Sequence, residues 1–66
     1  MPSQSDPSDP LQESRRRAMF AALLSCQDRG MSVPRSRAFV SFRFNVTAAD
    51  VARVEDEGLA AEWPPL

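Results

Sequence analysis

The chain contains no lysine, histidine or tyrosine, and only one cysteine among its 66 residues. Lack of histidine removes the commonest general base and metal ligand, and a lone Cys26 makes neither a disulfide framework nor a zinc site. No acid–base pair, activated nucleophile or glycine-rich phosphate loop can be assembled from the rest, so the chain reads as a non-enzyme with no metal and no cofactor. No apolar run approaches the roughly 20 residues of a membrane span, and no membrane partner is expected. Positive charge is scarce too. Eight arginines face nine carboxylates for a formal net charge of −1, which excludes the generally basic balance of a sequence-independent nucleic-acid binder. Any DNA contact must come from local arginine clusters. Arginine without lysine, together with abundant alanine, suggests a GC-rich bacterial or phage genome, and a cytoplasmic protein is expected.

A chain this short makes one domain at most, and such a domain buries only roughly 60% of the surface its unfolded chain exposes. Residues 1–9 hold Pro, Ser, Asp and Gln with nothing apolar after Met1, so they read as a disordered tail that cannot repay its ordering entropy. Residues 10–66 then form the domain. Its core candidates are four Phe, one Trp and a set of Leu, Val, Met and Ala.

Asp9 followed by Pro10 predicts a helix start, since Asp accepts hydrogen bonds from free amides and Pro is tolerated at the first helical position. Met19, Phe20, Leu23, Leu24 and Cys26 recur at the spacing of one helical face, and Gly30 can end that helix in a left-handed conformation. Glu13 and Arg17 form a supporting pair four residues apart. Pro34 can open a second helix through Arg35, Ala38, Val40, Ser41 and Phe44. Residues 38–46 also alternate like a half-buried strand, but Phe39 breaks the alternation and no second strand is available to pair with it. Thr47 with Asp50 three residues later has the spacing of a capping box and predicts a third helix, ending at Gly58 or soon after. The expected fold is a mostly α, three-helix helix-turn-helix domain.

Inward apolar groups at Val40, Phe44, Val46, Val51 and Val54, a small Ser41 at the crossing and Asn45 in the turn fit two helices packed across residues 34–59. The stretch Val46-Thr47-Ala48-Ala49-Asp50-Val51-Ala52-Arg53-Val54-Glu55, continuing to Gly58-Leu59, resembles the region-four helix-turn-helix of bacterial primary sigma factors. The resemblance implies a recognition helix from Thr47 onward in the major groove, with the preceding helix across it. Double-stranded DNA is then the partner. Arg35, Arg37 and Arg43 would hold phosphates while Thr47, Ala48 and Arg53 approach the bases.

A rival reading keeps the shape without the DNA. Ala48, Ala49, Asp50 and Ala52 leave the outward face without a cation, and Glu55, Asp56 and Glu57 repel phosphate. Phe39 and Phe42 cannot both share an inner face with Val40 and Phe44, so either the first helix covers them or they bind a partner, another protein such as RNA polymerase or a second copy. Trp63, in the segment 62–66, either caps the core or docks in a partner's groove with Pro64 and Pro65. Arg15, Arg16 and Arg17 read as a solvated face or as phosphate contacts. Followed by apolar residues 18–24, Ser25 and Cys26, they also resemble a bacterial lipoprotein signal, although the apolar run is short and acids stand upstream. On the helical reading Cys26 is a buried small hydrophobe.

Overall fold

The computed structural model describes residues 12–66, so the expected tail and Asp9–Pro10 lie outside the described residues. Three helices, α1 (Glu13–Asp28), α2 (Val33–Phe44) and α3 (Ala48–Ala61), each pack against the other two, with no strand among the described residues. The segment 38–46 is helical through Phe44: Val40 is buried and Phe44 half-buried, while Phe42, which a strand would put on the same face as both, is 87% exposed.

α1 opens later than the Asp9–Pro10 pair predicts. Gln12 stands at its N-cap without a side-chain capping bond, and Glu13 supplies the negative charge that suits a first turn. α2 is capped by Ser32, whose hydroxyl accepts from the Arg35 amide at 3.2 Å, with Pro34 just inside the helix. α3 carries the expected capping box: the Asp50 amide donates to Thr47 Oγ1 at 3.0 Å, and the Thr47 amide donates to Asp50 Oδ2 at 3.3 Å.

One device ends all three helices. A residue at positive φ, Gly30 (98°), Asn45 (58°) or Glu62 (55°), is followed by an apolar residue, Met31, Val46 or Trp63. The apolar residue's amide reaches back to Cys26, Ser41 or Gly58 over 3.0–3.1 Å, and the preceding amide bonds Gln27, Phe42 or Leu59. Each pair of bonds satisfies carbonyls the helix leaves free, and each turn sends an apolar group back along the helix it closes.

The core gathers Met19, Phe20, Leu23 and Cys26 of α1, Val40 of α2, Val51 and Val54 of α3, and Trp63. Cys26 is a buried thiol, as its place on the inner face predicts. Gly58 does not stop α3, which runs on to Ala61; it is buried where α1 crosses. A Cβ built at Gly58 would stand 2.3 Å from Cδ1 of the fully buried Phe20, so the ring occupies the space a side chain would need. Trp63 meets that ring edge-on, with centroids 6.1 Å apart at 80°. Ser36 is the small residue buried on α2: its hydroxyl donates to Val33 O at 2.8 Å and accepts from Gln27 Nε2 of α1 at 3.0 Å. Ser41, expected at the crossing, is half-buried and donates to Ala38 O of its own helix.

Candidate functional site

The arginines sort into those the fold uses and those it leaves open. Arg15, Arg16 and Arg17 are not a merely solvated face, because the run straddles the edges of the buried stripe on α1 and each side chain can reach a neighbour. Arg15 Nη2 donates to the Phe44 carbonyl at 2.6 Å and its guanidinium lies 5.3 Å from the Phe44 ring centroid. It thereby supplies a cation at the C-terminus of α2, where the helix dipole favours one. Arg16 makes a two-pronged contact with Glu57 of α3, Nε to Oε1 at 2.8 Å and Nη2 to Oε2 at 3.1 Å. Arg17 pairs with Glu13 as its spacing predicts, and lies 5.0 Å from the Trp63 ring centroid.

Two of the arginines expected to touch DNA are also engaged. Arg37 Nε donates to Glu55 Oε1 at 2.9 Å, and Glu55 is only 8% exposed. Arg53 pairs with Asp50 and not with Glu57, which Arg16 already holds. Thr47 Oγ1 is occupied in the capping box, and Ala48 is exposed with a methyl group alone to offer.

Of the expected DNA contacts Arg35 and Arg43 remain, and they, like Arg29 at the end of α1, are exposed and without a side-chain hydrogen bond or ion pair to the described residues. At about 100° per residue, Arg35 and Phe39, each two positions from Arg37, point about 160° away from it, with Phe42 and Arg43 at about 140° and 120°. Since Arg37 faces α3, these four side chains form a face turned away from it. Phe42 on that face is 87% exposed and lies open, while Phe39, at 43%, is covered over about half its surface. Trp63 is the other way round: at 5% exposure its indole belongs to the core and is not offered to a partner.

On α3 the exposed residues include Ala49, Arg53, Asp56 and Ala60, with Leu59 49% exposed. Asp56 and Glu62 are carboxylates with no side-chain partner among the described residues. No group of three or more metal-ligating side chains occurs among the described residues, and none of the described helices is long and apolar enough to cross a membrane.

The fold and this face define a small three-helix module with an open aromatic and cationic surface on its middle helix. Compared with known proteins, the chain gives no significant match to a family model, a curated protein or a solved structure.

Proposed function

We propose that this protein is a protein-interaction module whose contact surface is the outer face of α2. The observation that carries the reading is Phe42, 87% exposed beside Phe39 and bracketed by Arg35 and Arg43, which have no side-chain partner among the described residues. Fully burying an exposed Phe side chain contributes about 1.5–3 kcal/mol, so the open Phe42 ring and the exposed part of Phe39 are a reserve that a partner can use and this fold does not. Arginines beside them suit a contact, because aromatic groups and arginine supply much of the energy at protein interfaces.

DNA binding through α3 is the second reading, favoured by the turn itself. Asn45 in the left-handed conformation and the Thr47–Asp50 capping box leave the start of α3 exposed, the end that a recognition helix offers to a groove. It ranks second because Arg37 and Arg53 are neutralised by carboxylates, while the face bearing Arg35 and Arg43 turns away from α3.

A photo-crosslinking phenylalanine analogue at position 42 of the full chain, expressed in cells, tests the proposal against the same analogue at exposed Ser25. We expect protein adducts mapping to a defined peptide from position 42 only, and their loss when Arg43→Glu is added. Adducts equal to those from position 25, or adducts with DNA, would refute it.

A further inference from the structure

Resting on that reading, we infer that the partner of the α2 face is the outer edge of α3 in a second copy of the chain. The charges that α2 and the α3 end leave without a partner among the described residues match each other in sign and order. On α2, Arg35 and Arg43 bracket Phe39 and Phe42 over eight residues, about 12 Å at helical rise. Along α3 and its cap, Asp56 and Glu62 bracket the half-exposed Leu59 over six residues, about 9 Å. α2 has three arginines and no acid, whereas α3 has Asp50, Glu55, Asp56 and Glu57 against the single Arg53. The Arg37–Glu55 pair shows the same complementarity closing the α2–α3 contact within one copy. Between copies, Arg35 takes Asp56 and Arg43 takes Glu62 while the two rings cover Leu59.

Pairing through two α2 faces is disfavoured. A two-fold axis at Phe39 sets Arg35 against Arg43 of the other copy, and an axis at Phe42 brings the two Arg43 side chains together. Nor can a copy satisfy itself, since its α2 face points away from its own α3. The contact is head to tail: each copy carries one of each half, and association continues past two chains.

The test is the solution mass of the full chain by sedimentation over a concentration series, with Arg43→Glu and Asp56→Arg as variants. Both sites are exposed and unpaired among the described residues, and circular dichroism verifies that both variants keep the wild-type helix content. We expect the wild-type mass to climb beyond two chains with concentration and to fall with added salt, and each variant alone to stay at one chain. An equal mixture should form a pair and stop there, because the Asp56→Arg copy keeps its α2 half and the Arg43→Glu copy keeps its α3 half. A wild type that stays at one chain throughout, or a mixture of folded variants that does not pair, overturns the inference. If specific crosslinks from position 42 to another protein persist in that case, the interaction-module reading survives and only the second copy is wrong; without them both fail.

Discussion

Arg37 and Glu55 join α2 to α3, with Nη2 2.8 Å from Oε1, and this pair marks the side of α2 on which Ser36 and Val40 are buried. Helical geometry then assigns the opposite side to Arg35, Phe39 and Phe42. One ion pair thus separates an arginine that is structural from one that is open to a partner. The pair itself is half open on the arginine side, so its role here is orientation more than stability.

Phe42 and Phe20 should behave oppositely. Phe42→Ala removes a ring that touches mostly water, and its effect on unfolding free energy should stay within about 0.5 kcal/mol. Phe20→Ala empties the centre of the core and should cost about 3–5 kcal/mol, enough to leave so small a domain largely unfolded. Urea unfolding followed by circular dichroism distinguishes them, and a large loss for Phe42→Ala would place that ring in the core.

Gly58→Ala should destabilise in spite of alanine's better helix propensity. The propensity gain is about 1 kcal/mol, but the new methyl meets the Phe20 ring, and overpacking costs about 1–3 kcal/mol. Shrinking the ring with Phe20→Leu beside Gly58→Ala should lose less than the two single changes summed, since they share one space. Strict additivity in a double-mutant cycle would contradict this contact.

Glu62 holds a left-handed backbone conformation that a non-glycine residue adopts at a cost of about 1 kcal/mol. Glu62→Gly should therefore raise the unfolding free energy by about 0.5–1 kcal/mol. Asn45→Gly should gain less, because Asn tolerates this conformation. Thermal melts of the two variants should rank in that order, and a Glu62→Gly protein that melts lower would contradict the turn.

Thr47→Ala removes the hydroxyl that accepts from the Asp50 amide and should cost about 1 kcal/mol. Asp50→Ala should lose both its share of the capping box and the partner of Arg53, so the guanidinium would be released. Nuclear magnetic resonance of the Arg53 side chain should report faster exchange in that variant than in the wild type.

Much of the architecture is legible because it depends on local backbone chemistry. Gly30, Asn45 and the Thr47–Asp50 spacing each mark a boundary through a conformation or bond that the residue type favours. Gly58 is misleading by the same logic. It resembles a helix stop, and only a ring from another helix explains it. Nothing in glutamate asks for a left-handed turn, so the end at Glu62 is set by Trp63 returning to the core. The candidate site divides the same way. Helical spacing shows that Phe39 and Phe42 cannot both join Val40 and Phe44 inside, whereas the partners of Arg15, Arg16, Arg37 and Arg53 depend on tertiary packing or on a choice between nearby acids.

If the α2 face is the contact surface proposed above, α3 does not read DNA. Titration of a mixed duplex DNA pool with the purified chain at low and near-physiological salt tests it most directly, with Arg53→Glu and Arg43→Glu alongside. No saturable binding near physiological salt is expected for any of the three. Salt-sensitive wild-type binding that Arg53→Glu abolishes would put α3 in the groove and overturn the α2 proposal.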